Sequence, residues 1–136
     1  MIEKKVAQQI TRNVEKSFDE QISFLSDLVR CKTLVGHEGD GQTIYADGCR
    51  RLGSEPEGFL PDKAVVSQHP AYNESGKDFA GRPNIISILP ARGRGRSLIL
   101  NGHMDVVSPE PLASWTFDPW TPRVKDGFLY GQAHWI

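Results

Sequence analysis

Ser97-Leu98-Ile99-Leu100 runs straight into Asn101-Gly102-His103-Met104-Asp105-Val106-Val107. Three large aliphatic residues in a row, with no polar alternation, read as a strand covered on both faces. Asn101-Gly102 then ends the strand. His103 falls just past its carboxyl end, where open α/β sheets place their ligand sites. Gly102 carries no side chain and permits a close approach beside the histidine. Upstream, Pro83-Asn84 leads into Ile85-Ile86-Ser87-Ile88-Leu89, which Pro90 closes. This is a second buried strand. The connection between the two is short enough to make them antiparallel neighbours. The expectation is a sheet containing residues 84–89 and 97–102.

Working outward, Ile2, Val6, Ile10, Val14 and Phe18 recur every four residues, and Ile22, Leu25, Leu28 and Val29 continue the stripe. That period is an amphipathic helix whose apolar face packs. Ser17 with Glu20 fits a capping box, so a second helix is expected to restart there. Gly36, Gly39 and Gly41 mark a loop. A further helix is expected from Thr43 to Leu52, ended by Gly53. Glu55 to Leu60 and Ala64 to Val66 read as short extended pieces, and His69 to Gly81 as a loop. Asp126-Gly127, between Arg123-Val124-Lys125 and Phe128-Leu129-Tyr130, is a hairpin signal. Helices first and buried strands after imply an α/β architecture with a mixed sheet. There is no internal repeat and no interdomain linker.

The composition fits one modest soluble domain. At 136 residues the chain is long enough to bury roughly two-thirds of its unfolded surface. The net charge is −1 with mixed signs, which argues against a nucleic-acid or anionic-membrane partner. The basic cluster Arg92, Arg94 and Arg96, interleaved with glycine, reads as a solvated turn rather than an anion site. Cys31 and Cys49 show no CxxC spacing and read as reduced thiols. The start has no signal-peptide core, and no apolar run approaches membrane-spanning length. The expected location is the cytoplasm.

The chemistry concentrates in His103 and Asp105. In an extended chain, residues two apart point to the same face. A neutral imidazole gives one ring nitrogen to a metal while a carboxylate or carbonyl holds the other. His-x-Asp alone is a weak signal, and a structural histidine explains it as well.

The wider run NGHMDVVSPEPLASWTFDPWTP, followed by DGFLYG, resembles the acetylornithine deacetylase / succinyl-diaminopimelate desuccinylase family of zinc peptidases and deacylases. The matching features are Gly102-His103-x-Asp105-Val106-Val107, Trp115, Pro119, Asp126-Gly127 and Leu129-Tyr130-Gly131. The upstream GRPNIISIL also looks like the family's preceding strand. The likeness is close from about residue 79 to 131 and loose before that. It implies a mixed-sheet α/β sandwich of the zinc-peptidase type, with residues 1–136 as a single partial domain, the amino-terminal portion of the catalytic domain. It implies metal-dependent hydrolysis of amide bonds in N-acyl amino acids or small peptides, with two zinc ions, or cobalt in their place. His103 matches the family's first histidine ligand to one zinc. Asp105 matches the catalytic-site carboxylate that orients the metal site.

The family pattern then requires a bridging Asp in a Gly-x-Gly-small-x-Asp motif, a Glu-Glu pair whose first member is the general base, another acidic ligand and a late histidine. After Tyr130-Gly131 this sequence reads Gln132-Ala133-His134-Trp135-Ile136. His134 reads as incidental rather than as a substitute ligand. Reverse-translated and read one base earlier, the second codon becomes Gly or Ser and the third to fifth become Ala/Ser/Thr/Pro, Leu and Asp whatever synonymous codons are used, so the shifted frame can carry the family motif. The expectation is therefore a truncated, frameshifted amino-terminal fragment, inactive alone, with weak or absent metal binding. The competing reading is a non-catalytic binding or interaction module derived from the same fold. The Trp115, Phe117 and Trp120 cluster would serve such a module as a surface, although core or lid packing explains it better.

Overall fold

The computed structural model describes residues 3–74, 76–90 and 93–132. Ile2, Arg92 and His134 lie outside the described residues. The chain opens with three helices, α1 (Lys4–Lys16), α2 (Phe18–Arg30) and α3 (Gly39–Arg51). Strand β1 (Glu57–Phe59), a one-turn helix α4 (Lys63–Val66) and strand β2 (Asn84–Ile86) follow. A 3-10 turn (Leu112–Ser114) precedes the hairpin strands β3 (Arg123–Lys125) and β4 (Phe128–Tyr130).

The helical start follows the four-residue spacing, and the break falls at Ser17 as expected. Its chemistry differs from a capping box. The Ser17 hydroxyl donates back to Asn13 O at 3.0 Å, and Gln21 Nε2 donates to Ser17 Oγ at 2.7 Å. Ser17 thus closes α1 rather than capping α2, and Glu20 takes no part. α3 ends at Arg51 with Leu52 as its C-cap, followed by Gly53 at φ +83°, the left-handed conformation that glycine adopts freely. Ala64 to Val66 is helical, not extended. Asp62 Oδ1 accepts the Ala64 N–H at 2.8 Å, and this cap outweighs the strand preference of two valines.

The sheets are small. β1 pairs antiparallel with β2, setting Glu57 against Ile86, Gly58 against Ile85 and Phe59 against Asn84. β3 pairs antiparallel with β4 through Asp126 (φ +51°) and Gly127 (φ +81°), the positive pair a tight hairpin turn needs. The expected strand over 97–102 is absent. Leu98, Ile99 and Leu100 are irregular and 81%, 86% and 86% exposed. A strand needs a neighbour for its backbone N–H and C=O groups, and no described segment offers this one a pairing edge. The only parallel pairing among the described residues is a single bridge between Leu34 and Val106.

The core lies between α2 and α3. Val29, Ala46 and Cys49 are its buried apolar members among the described residues. Gly48 leaves room for Phe24, whose ring edge would stand 2.7 Å from a Cβ placed there. Ser54 ties α3 to the sheet. Its hydroxyl donates to Cys49 O at 2.9 Å and accepts from Ser87 Oγ at 2.5 Å. The accessible surface is 11412 Å². A compact chain of this mass exposes roughly 7,100 Å². About half of the unfolded surface is buried, short of the two-thirds expected, because Ile86, Ile88, Leu89 and the run Leu98 to Leu100 find no cover.

Candidate metal centre

His103 sits on an irregular segment, not at a strand end. What holds that segment is Thr33. The Val106 N–H donates to Thr33 O at 2.8 Å, and the Thr33 hydroxyl donates to Met104 O at 2.7 Å. Lys32, at φ +50°, turns the chain out of α2 so that Thr33 and Leu34 run alongside residues 104–106. The first turn of α3 covers the junction. A Cβ on Gly41 would lie 2.6 Å from Thr33 Cγ2 and 2.9 Å from Met104 Sδ, so only glycine fits there. On the far side, Gln132 Nε2 donates to Val107 O at 2.7 Å.

The structure brings His103 and Asp105 together. His103 Nδ1 stands 3.0 Å from the Asp105 main-chain oxygen and 3.2 Å from Asp105 Oδ1. A backbone carbonyl only accepts, so Nδ1 carries the proton. In the neutral ring the lone pair is then on Nε2, and any metal contact falls to that atom. His103 is exposed and Asp105 half-buried. Among the described residues no group of three or more His, Cys, Asp or Glu side chains is placed to hold a metal ion. Gly102 does not serve the close approach expected of it, since a Cβ there meets nothing within 4 Å.

The other candidates separate from this pair. Arg94 and Arg96 are exposed in an irregular stretch. Trp115 and Phe117 meet edge to face with ring centres 6.0 Å apart, and Trp115 Nε1 donates to Pro109 O at 2.9 Å. The Arg123 guanidinium lies 4.8 Å above the Phe117 ring. Trp115 and Phe117 thus pack on each other and against Arg123 of the hairpin, and Trp120 is half-buried. Cys31 and Cys49 carry free thiols, and burial raises the Cys31 pKa.

Sequence reasoning missed two contacts. One is the Thr33 clamp, whose partners lie 71 residues apart and leave no local signal. The other is a nearly buried ion pair, Arg82 to Glu38 at 3.1 Å, in which Glu38 Oε1 also accepts the Gly36 N–H. It fastens the loop before β2 to the start of α3. The only hint was a glutamate and an arginine, each beside glycines.

No family model matches the chain. Curated proteins do match. It is 29% identical over 113 residues to succinyl-diaminopimelate desuccinylase 2 of Ruegeria sp. (strain TM1040), covering 83% of this chain and 24% of the relative. It is 32% identical over 106 residues to succinyl-diaminopimelate desuccinylase of Methylorubrum populi (strain ATCC BAA-705 / NCIMB 13946 / BJ001), covering 77% and 23%. A 35-residue stretch is 57% identical to the Stenotrophomonas maltophilia (strain K279a) enzyme of that name. The chain belongs to the acetylornithine deacetylase / succinyl-diaminopimelate desuccinylase family. It spans about a quarter of the length of the curated relatives it matches. For this family member, no helix among the described residues is long and apolar enough to cross a membrane.

Proposed function

We propose that residues 1–136 are part of the catalytic domain of a metal-dependent hydrolase that cleaves the amide bond of N-acyl amino acids or small peptides. In this reading His103 is a zinc ligand through Nε2, and Asp105 fixes its ring. The supporting observation is the 3.0 Å approach of His103 Nδ1 to the Asp105 carbonyl, which selects the tautomer a metal ligand needs. Asp105 Oδ1 adds a second acceptor at 3.2 Å and keeps the ring from turning over. A zinc ion bound there supplies a Lewis acid and an activated water. Within the intact domain the apolar run Leu98–Leu100 takes its place in the mixed sheet of a zinc-peptidase sandwich.

In this reading the described residues hold too little of the site to work alone. Protein zinc sites use three or four side-chain ligands, whereas the described residues bring one histidine and one carboxylate together. The purified chain should therefore bind zinc weakly at His103 and hydrolyse nothing at an enzymatic rate. The test pairs calorimetry with an assay on N-succinyl-diaminopimelate and N-acetylornithine, with zinc or cobalt added. No tight binding and no turnover above a His103→Ala control is the expected result. A submicromolar site or turnover that His103→Ala abolishes overturns the claim of inactivity. Zinc that leaves the His103 ring signals unmoved overturns its role as a ligand.

A further inference from the structure

We infer that Thr33 is the positioning residue for the His103–Asp105 pair. This deepens the metal-ligand reading and takes its functional weight from it. The case begins with the planar trans peptide, in which a carbonyl and the following N–H point in opposite directions. The Val106 N–H is directed at Thr33 O, 2.8 Å away. The Asp105 carbonyl in the same peptide unit must therefore point away from Thr33. It faces the His103 ring, whose Nδ1 is 3.0 Å from it. The preceding unit is held as well, because the Thr33 hydroxyl donates to Met104 O at 2.7 Å. Thr33 thus grips both peptide planes that flank Asp105, and one of those planes carries the acceptor that chooses the His103 tautomer.

Thr33 is itself well anchored. It is 4% exposed, and the bare face of Gly41 packs against its methyl group. The hydroxyl supplies one of the two bonds and the backbone the other. Thr33→Val keeps the shape and removes the side-chain bond, while Thr33→Ser keeps the bond and loses only the methyl.

The experiment uses the full 136-residue chain labelled with ¹⁵N and ¹³C. In the wild type, a coupling across the hydrogen bond from Val106 N to the Thr33 carbonyl carbon is expected. The neutral His103 ring should be mainly in the Nδ1–H form. Thr33→Val should lose that preference and drift towards the Nε2–H form, and Thr33→Ser should restore it. A folded Thr33→Val with the wild-type tautomer overturns the proposal. So does a wild type without the coupling, which keeps the test decisive even if Thr33→Val fails to fold. Zinc titration separates this claim from the ligand reading. If zinc shifts the His103 signals, Thr33→Val should weaken that response about tenfold, the loss usual for a removed supporting bond. If zinc leaves His103 untouched while Thr33→Val still changes the tautomer, the clamp stands and the ligand reading falls.

Discussion

At the scale of single residues, glycine is decided by its neighbours. In a helix, Gly→Ala ordinarily gains about 1 kcal/mol. Gly41 should do the reverse, because the added Cβ meets Thr33 Cγ2 at 2.6 Å and Met104 Sδ at 2.9 Å. Met104 is able to bend aside, but Thr33 is held by bonds to Met104 O and Val106 N. Overpacking costs typically 1–3 kcal/mol, so Gly41→Ala should be destabilised by about 1 kcal/mol net in denaturant melts. Gly102→Ala is the control and should stay within about 0.5 kcal/mol, since its Cβ enters open space. A stabilised Gly41→Ala would show that Thr33 and Met104 yield to the added methyl at no cost. His103 and Asp105 were legible in the sequence because spacing by two suffices to bring them together. Thr33 was not, because its contacts depend on the turn at Lys32 and on a segment remote in the chain.

Most elements with a local cause were read correctly, α4 excepted, and of the strands that need a distant partner β1 and β2 formed while the one over 97–102 did not. The four-residue period made α1 and α2, Gly53 closed α3, and Asp126-Gly127 made the hairpin. Each follows from bonds within a few residues. Ser17 misled because a hydroxyl beside a helix start is also beside a helix end, and here it turned backward. The loop between the 3-10 turn and β3 offers a pH test. Asp118 accepts the Trp120 N–H at 3.1 Å and the Thr121 hydroxyl at 2.9 Å. Its pKa is lowered, first by the Trp120 backbone bond and then by Thr121. A carboxyl with a lowered folded value is stabilising above its unfolded value and loses that contribution as pH falls through the folded one. The turn should therefore be intact at neutral pH and loosen only on acidification below the ordinary Asp value of about 3.9. Amide exchange at Trp120 and Thr121, followed against pH, should show the loosening. Asp118→Asn should flatten the dependence, and an unchanged acid limb in that variant would assign the loosening to another group.

For the whole molecule, the accessible surface decides what the chain does in solution. At 11412 Å² it exceeds the roughly 7,100 Å² of a compact chain of its mass by about 60%. The excess is apolar in character, since Ile86, Ile88, Leu89, Leu98, Ile99 and Leu100 are each more than half exposed. A sequence shows that such a run is built to be covered, but it does not say by what. That is why the strand over 97–102 was legible as a tendency and not as a structure. Exposed, β-prone and uncharged segments pair with their like in other chains. The isolated chain should thus self-associate at micromolar concentrations and bind an apolar dye. Ile99→Lys should suppress both, because a charge within such a run breaks the pairing. The same substitution should leave thermal stability nearly unchanged. Ile99 is 86% exposed, so it contributes little apolar burial to the folded chain. Size-exclusion chromatography with light scattering, alongside a thermal melt, separates the two effects. A melting point lowered by several degrees would mean that Ile99 is buried in the folded chain. Undiminished association with an unchanged melting point would place the sticky surface elsewhere, on the exposed Val6, Ile10 and Val14 stripe of α1.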